Sequence, residues 1–452
     1  MCAYNYQQTV TFIMVDVVES SAGLNLFSKP TVYRKALRGH VERIRPINTM
    51  THAGPYEFEI GGSSDYIQSP HSYLDFEMRI MKSTLTGDVE LISTDKVTTC
   101  NLPGHSLFSS IELSSRNEIV SDQSSSLYGY KALIETLINY SPFTSGGHLV
   151  CSGFEMDTPG QMEFDPTKAK SGATKRSEQW KLSRWVQMCL PLHLDLFNVQ
   201  TDYPGGMQLR LKFIRKPDNF TIMQETSNTA TYVIQLRNMA MNIRKVTPNP
   251  ALVLEHELAF AKSDCVYDYN LSVIKQVTMG VGANLHVMPN LFKGQIPPLL
   301  ILGIVETAQV VGDKHKNPFT FNHHNVQRMT CKINGQVRPV QPLDLDWGDK
   351  ETGLIQLYRQ FNDHIGVKNM NVATYIDYKF FKDGCTLYAF DSTPNGYIHS
   401  DVQNPTENGN LDLEITLKAI TASSLTLIAL GLYDRTFSIT KGRDLVNTRI
   451  SV

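Results

Sequence analysis

Apolar and polar residues alternate with a period of two along much of the chain. Successive side chains of a strand point to opposite faces, so each alternating segment predicts a strand with one buried and one wet face. Two continuous apolar runs, 299–305 and 425–432, predict strands that are buried on both faces. The clearest alternating segments are 56–60, 74–80, 207–213 and 411–417.

Turn residues separate these predicted strands. Pro204, Gly205 and Gly206 come directly before the strand at 207–213. Asn334-Gly335 lies between apolar residues and predicts a tight hairpin turn. Many short strands with turns of this kind predict an all-β protein built from β-sandwiches, a class that includes jelly rolls.

Two segments have the periodicity of helices. In 126–140, residues Tyr130, Leu133, Ile134, Leu137 and Ile138 recur at helical spacing and predict one apolar face. A second helix is expected at 249–262, because Asn249 suits the N-cap and Pro250 suits the first turn. Segment 157–184 has a weak pattern and is expected to be a long loop.

The second predicted helix lies near the middle of the chain, between two strand-rich stretches. With 452 residues, the chain exceeds the size at which one hydrophobic core usually stops growing, so two domains are expected. The predicted division is an N-terminal arm at 1–54, a first jelly roll at 55–247, a linker helix at 248–264, a second jelly roll at 265–440 and a C-terminal tail at 441–452.

Charge and cysteine content narrow the class of protein. The formal net charge is −2, which excludes a histone-like protein held on nucleic acid by bulk charge, although it leaves room for a local basic face. The seven cysteines are widely spaced and form no Cys-x-x-Cys motif, so free thiols in a reducing compartment are expected. We expect no signal peptide and no membrane span, since the longest apolar run has far fewer than about 20 residues.

A search for catalytic or metal-binding motifs yields little. The chain has no P-loop and no nucleophile elbow, and Gly280-Val281-Gly282 lacks the third glycine of a dinucleotide site. His256-Glu257 begins like a zinc protease motif, but Phe260 stands where the second histidine is required. We therefore predict no enzymatic activity, no cofactor and no metal.

Histidines and acidic residues in the second half of the chain are candidate metal ligands. Adjacent strand residues face opposite sides, so His323 and His324 cannot easily bind one ion together with His315. Asp344 and Asp346 would share a strand face, but a solvated strand edge is the simpler interpretation.

Two basic clusters remain as candidate binding surfaces. Each cluster has two interpretations. It is a face that contacts solvent or another protein, or it is a patch that binds phosphate groups. The first cluster is the stronger candidate and contains Arg34, Lys35, Arg38, Arg43 and Arg45. The second cluster contains Lys168, Lys170, Lys175, Arg176, Lys181 and Arg184.

Ordered sequence blocks along nearly the whole chain resemble the major capsid proteins encoded by Polinton/Maverick elements and the related adintoviruses. The number, order and spacing of the blocks carry the resemblance, while residues 115–118 and 203–206 depart from the family pattern. The blocks lie at 24–31, 55–60, 62–67, 105–113, 127–140, 191–198, 206–220, 291–297, 316–325, 334–336 and 384–394.

The resemblance implies a double jelly roll whose work is self-assembly. Three copies would form a pseudo-hexameric capsomer, and the capsomers would tile an icosahedral shell around double-stranded DNA. It further implies a penton or minor capsid protein as partner, synthesis in the host cytoplasm and residence in the virion. In such capsids the termini tend to face the interior, so residues 1–50, with the first basic cluster, are expected to link capsomers or meet DNA.

Two rival functions compete with the capsid interpretation. A glycan-cleaving amidase or glycosidase on a double jelly roll would need paired carboxylates or tryptophan-lined sugar subsites. A glycan-binding module would need similar subsites. The chain has three tryptophans, Trp180, Trp185 and Trp347, and the first two lie in or beside segment 157–184.

Overall fold

The computed structural model arranges the chain as two eight-stranded β-sandwiches in tandem, each with additional short strands and helices. It describes residues 35–447 except 117, 122–125, 145, 349, 368–372, 395, 397–404 and 406.

The first sandwich is built from two facing sheets. One sheet has the order β1-β11-β3-β4, with β8 also paired to β3, and the other has the order β2-β9-β6-β7. β10 and β5 form a separate pair. The strands are β1 (Ala36–Ile44), β2 (Tyr56–Ile60), β3 (Tyr66–Thr84), β4 (Gly87–Val89), β5 (Val97–Thr99), β6 (Phe108–Ser115), β7 (Glu118–Ser121), β8 (Val186–Pro191), β9 (Leu209–Arg215), β10 (Ile222–Gln224) and β11 (Thr231–Pro248).

The second sandwich repeats this plan. One sheet has the order β12-β19-β14-β17, with β20 paired to β19, and the other has the order β13-β18-β15-β16. The strands are β12 (Cys265–Met279), β13 (Leu285–Gln295), β14 (Leu299–Glu306), β15 (Val326–Ile333), β16 (Gln336–Val337), β17 (Leu387–Asp391), β18 (Asn408–Leu417), β19 (Leu425–Ile439) and β20 (Leu445–Asn447).

Both sandwiches are therefore jelly rolls of the same topology. When the eight main strands of each are numbered along the chain, one sheet has the order 1-8-3-6 and the other 2-7-4-5 in both halves. The first strand of the first roll is β1 and that of the second roll is β12. This shared topology confirms the expected double jelly roll.

Short helices lie in the connections between strands. Topologically, α2 and α7 are equivalent, because each follows the fifth main strand of its roll and precedes the sixth. The helices are α1 (Pro103–Ser106), α2 (Tyr128–Asn139), α3 (Gly172–Gln179), α4 (Asp218–Thr221), α5 (Pro250–Phe260), α6 (Thr307–Val311), α7 (Leu354–His364) and α8 (Tyr378–Lys382).

Most elements predicted from periodicity are present. Both expected helices form, and Asn249 caps α5 by accepting a hydrogen bond from the Ala251 amide at 3.0 Å. The Asn334-Gly335 turn joins β15 to β16 with positive φ at both residues, as a tight hairpin turn requires. Segment 157–184 is not a pure loop, because Ser171 caps α3 within it.

The N-terminal region also differs from the prediction. The expected arm was to extend to residue 54, but β1 pairs with β11 from Ala36 to Ile44 as the first strand of the first roll. Periodicity missed β1 because nearly all of its side chains are exposed, so the strand has no buried apolar face.

The hydrophobic cores cross the boundary between the halves. The core of the first roll includes Tyr267, Phe437 and Ile439, which belong to the second half. The core of the second roll includes Leu133 and Leu137 of α2, which belongs to the first half. Because this contact is apolar and extensive, the two rolls should hold one fixed orientation.

The described cysteines are unpaired, as the sequence predicts. Cys2 lies outside the described residues. Burial raises the pKa of both Cys100 and Cys331 to about 12, so these thiols stay protonated and inert.

Candidate functional site

The first basic cluster lies on and beside β1, at the open edge of a sheet. Its residues Lys35, Arg38, Arg43 and Arg45 are exposed. Arg34 lies outside the described residues. Because β1 is an edge strand, one side of its backbone carries N–H and C=O groups that no neighbouring strand within the described chain pairs.

The cations of this cluster are not equivalent. The Arg43 guanidinium lies 3.0 Å from the Asp75 carboxylate and is therefore partly neutralised. The Arg38 Nε donates to the Thr247 hydroxyl at 3.1 Å, which leaves its charge uncompensated. Among the described residues, no carboxylate lies within ion-pair distance of Lys35, Arg38 or Arg45. These three cations are therefore the part of the cluster that is available to an anionic partner.

The second basic cluster is largely engaged within the chain. Arg176 is buried and pairs with Asp157 at 2.8 Å, so it holds segment 154–157 against α3 rather than meeting solvent. Lys175 pairs with Glu155 at 2.8 Å on the surface. This cluster is therefore the weaker candidate for a phosphate-binding surface.

The histidines and aspartates that are candidate metal ligands have other interactions or surroundings. His323 stacks on Trp347 with ring centroids 4.3 Å apart. Burial lowers the pKa of His324 to about 4, so its ring is neutral at physiological pH. Asp344 binds Arg328, and Asp346 binds Lys418 at 3.0 Å. Within the described residues, no group of three or more His, Cys, Asp or Glu side chains could hold a metal ion.

The three tryptophans do not form sugar subsites. Trp180 is 1 % exposed, so its ring is closed to a ligand. Trp185 is held under the guanidinium groups of Arg79 and Arg237, at 4.5 and 4.0 Å from its ring centroid. Trp347 is stacked on His323, and its Nε1 donates to the Val326 carbonyl at 2.8 Å. The glycan-binding interpretation thereby loses the residues on which it depended.

A buried ion cluster joins the two rolls. The Lys131 ammonium on α2 is fully buried and lies 2.6 Å from Asp195 and 3.7 Å from Glu135. Glu135 also accepts a hydrogen bond from the His193 Nδ1 at 2.6 Å. From the second roll, Ser272 of β12 donates its amide to Asp195 at 2.9 Å and its hydroxyl to Glu135 at 3.3 Å.

Burial and mutual attraction set the charges of this cluster. Burial disfavours the charge of Lys131, but Asp195 and Glu135 outweigh it and raise the pKa of the ammonium. Burial would raise the pKa of Glu135, yet Lys131 and His193 lower it below its usual value. Burial raises the pKa of Asp195 against the pull of Lys131. Removing any one charge would strand the others in an apolar interior.

Periodicity did not identify this cluster. The helical spacing in 126–140 predicts the apolar face of α2 and carries no information on what covers its polar face. The structure buries that polar face too, because β12 of the second roll covers it. The sequence offered one signal for a buried lysine. Lys131 lies between Tyr130 and the apolar run Ala132-Leu133-Ile134, where a solvent-exposed side chain is uncommon.

The connection between β7 and β8 of the first roll also contacts the second roll. The Asn317 amide donates to the Glu163 carboxylate at 2.6 Å, and the Asn317 side chain donates to the Met162 carbonyl at 2.9 Å. The Gly160 amide donates to the Asp383 carbonyl at 2.7 Å. Burial raises the pKa of Glu163 to about 7.

Within the described chain, no helix is both long and apolar enough to cross a bilayer.

Comparison with solved structures shows which proteins share this fold. A chain of the Sputnik virophage structure superposes with a TM-score of 0.60 at 11 % identity, covering 96 % of this chain and 93 % of that one. The Faustovirus major capsid protein superposes with a TM-score of 0.58 at 10 % identity, covering 94 % and 92 %. The mavirus major capsid protein superposes with a TM-score of 0.54 at 11 % identity, covering 95 % and 93 %. The chain has the double jelly-roll fold.

Sequence comparison adds one relative. An uncharacterized protein of Caenorhabditis elegans, F54H12.2, is 21 % identical over 359 residues, which cover 77 % of this chain and 82 % of the nematode protein. No protein-family profile matches the chain.

Proposed function

We propose that this protein is a major capsid protein. In this role it forms homotrimeric, pseudo-hexameric capsomers that assemble into an icosahedral shell around double-stranded DNA. The observation that carries the proposal is the superposition of the whole chain, both rolls together, on viral major capsid proteins at TM-scores of 0.54 and 0.58. The fixed contact between the rolls supports it, because a shell subunit must keep one shape through many contacts.

The lineage we propose is the Polinton/Maverick and adintovirus group. The ordered sequence blocks favour it. The related nematode protein favours it too, because a capsid gene carried by an integrated element would be found in an animal. On this proposal the protein resides in the virion after synthesis in the host cytoplasm, and a penton or minor capsid protein fills the five-fold positions. The chain itself carries out no catalysis.

We further propose a division of labour along the chain. Residues before β1 act as an inner arm, α5 connects the two rolls, and residues 441–452 act as a tail. Deleting residues 1–30 should leave the capsomer soluble but impair shell assembly. Normal shells from the truncated protein would count against the arm.

The uncompensated cations on and beside β1 are proposed to meet packaged DNA. Changing Lys35, Arg38 and Arg45 to glutamine should lower the DNA content of shells and the salt sensitivity of DNA binding, because each phosphate contact releases counterions. Shell assembly itself should persist. The matched control changes the exposed Lys168 and Lys170 to glutamine and should leave DNA content unchanged. Equal DNA content in both variants would contradict the DNA contact.

The decisive experiment measures the oligomeric state. Light scattering on size-exclusion fractions should give a mass of about 153 kDa, three times the 50.9 kDa chain, and negative-stain microscopy should show spherical particles in the void volume. A monomer at every concentration and salt would overturn the capsid proposal. A reproducible rise in melting temperature with glycans would then favour the glycan-binding alternative.

A further inference from the structure

Two of the described cysteines lie close together in the first roll. Cys189 is in β8 and is half-buried. Cys151 is exposed, in a short 3-10 helix (His148–Ser152) within the connection between β7 and β8. Segment 152–188 separates the two residues along the chain, so the fold and not the local sequence brings the thiols together.

The 3-10 helix packs directly on β8, with Cα atoms of the two elements within 8 Å of each other. Gly153 ends this helix with a φ of 74°. Its lack of a side chain permits the close approach, because a Cβ at this position would lie 2.7 Å from Pro103 and 3.2 Å from Met188 of β8. Met188 is the neighbour of Cys189 in the strand, so this close contact lies beside the half-buried thiol.

The 3-10 helix holds Cys151 at the surface while the residues around it are anchored. Leu149 belongs to the core of the second roll, and Ser152 is 3 % exposed. Glycines flank the helix, Gly147 before it and Gly153 after it. A disulfide requires Cα atoms about 4.4 to 6.8 Å apart. Glycines at both ends let the backbone make the small rotation that closing such a bond requires.

The surroundings of the two thiols give them different reactivity. The Cys189 Sγ donates to the Asp75 carboxylate at 3.7 Å. Burial first, then Asp75 and Cys151, raise the pKa of the Cys189 thiol to about 11. The contribution of Cys151 places each thiol within range of the other's charge. Because Cys151 is exposed, it is the thiol that a dissolved oxidant reaches first.

We propose that Cys151 and Cys189 form a disulfide when the protein leaves a reducing environment, and that this bond fastens the connection between β7 and β8 to β8 itself. The proposal rests on the capsid function for the change of environment, because a released shell passes from the host cytoplasm to an oxidising exterior. The bond would close a loop that contains Glu163 and the Asp157–Arg176 ion pair. It should therefore stabilise the contact of this connection with the second roll.

The reaction is a thiol–disulfide exchange with a small-molecule disulfide such as oxidised glutathione. The Cys151 thiolate attacks one sulfur of that disulfide, its S–S bond breaks, and one glutathione thiolate leaves. The Cys189 thiolate then attacks the Cys151 sulfur, and the second glutathione thiolate leaves. Two protein thiols are oxidised, one glutathione disulfide is reduced, and the two protons of the protein thiols pass to the departing glutathiones. Because the Cys189 thiol is held protonated, the second step should limit the rate and become faster as the pH rises.

Peptide mapping of the purified full-length protein tests the proposal. After incubation with oxidised glutathione, proteolysis without reductant should yield one linked peptide pair that contains Cys151 and Cys189, and the melting temperature should rise. Cys189→Ser should stop at the mixed disulfide of Cys151 with glutathione and show no such rise. Cys265→Ser changes another half-buried cysteine and is the matched control, which should form the same link as the wild-type protein.

The outcomes separate this inference from the capsid proposal. A wild-type protein that stops at the mixed disulfide, as Cys189→Ser does, would overturn the inference. A covalent dimer on a non-reducing gel, linked through Cys151 of two chains, would overturn it too. Either result in a protein that is a trimer by light scattering would leave the capsid role intact. A monomer that forms the Cys151–Cys189 link would support the inferred bond and overturn the capsid role.

Discussion

The helices α2 and α7 occupy the same topological position in the two jelly rolls, yet their surroundings differ completely. Each carries a basic and an acidic residue one turn apart, Lys131 and Glu135 on α2 and Arg359 and Asp363 on α7. The first pair is buried between the rolls, whereas the Arg359 side chain is 75 % exposed. The difference shows that the partner surface, rather than the helix sequence alone, decides whether an ion pair is structural.

The largest effect is expected from removing the buried cation. Lys131→Met should lower the free energy of unfolding by about 3 to 5 kcal/mol, because it leaves Asp195 and Glu135 buried without their cation. The matched change Arg359→Met on α7 should cost less than about 0.5 kcal/mol, as exposed pairs contribute little. Urea unfolding of both variants measures the difference. Equal losses would mean that burial does not distinguish the two helices.

The sequence predicted the shared parts of the rolls better than the contacts between them. Alternation found β2, β9 and β18, since each has one face on a core and one in solvent. It missed β1, because nearly all side chains of that strand are exposed. It also missed the ion cluster, because contacts such as Ser272 with Asp195 join residues 77 positions apart, and local periodicity carries no information on such pairs. Composition identified the basic residues on and beside β1. It could not predict which of them are paired, because Arg43 binds Asp75, which lies 32 positions further along the chain.

The apolar side of the two helices offers a second contrast. Leu133→Ala should cost about 3 kcal/mol, because Leu133 is 2 % exposed in the core that both rolls share and its loss leaves a cavity. Ile355→Ala on α7 should leave the free energy of unfolding nearly unchanged, because the Ile355 side chain is 63 % exposed. Thermal unfolding of both variants measures the difference. A loss of several kcal/mol for Ile355→Ala would contradict the comparison.

The connections that precede the sixth main strand also differ between the two rolls. In the first roll, the connection between β7 and β8 places Glu163 against Asn317 of the second roll. Burial raises the pKa of Glu163 to about 7 from a usual value near 4.5, so the folded protein binds a proton that the unfolded chain has released. This contribution to stability is complete below about pH 4.5 and is lost as the pH rises through 7. Relative to Glu163→Gln, the wild-type protein should therefore lose stability between pH 4.5 and pH 7.5, by less than the full shift would give, because Glu163 is partly open to screening by solvent. If the free energy of unfolding of the two proteins changed with pH in the same way, Glu163 would not titrate in this pH range.

The smallest effect concerns α5, the helix that joins the rolls. Its N-cap Asn249 accepts from the Ala251 amide, and its last residue Phe260 is buried in the core of the first roll. Asn249→Ala removes the cap and should cost about 1 kcal/mol, whereas Asn249→Asp keeps an acceptor and should cost a few tenths. A cost this small is expected because the apolar contact between the rolls and the buried Lys131 cluster already fix the orientation of the two rolls. The linker helix α5 contributes little beyond those contacts. If Asn249→Ala instead destabilised the protein as much as Lys131→Met, the linker would rank with the ion cluster in holding the two rolls, and the contrast between α2 and α7 would not account for their rigidity.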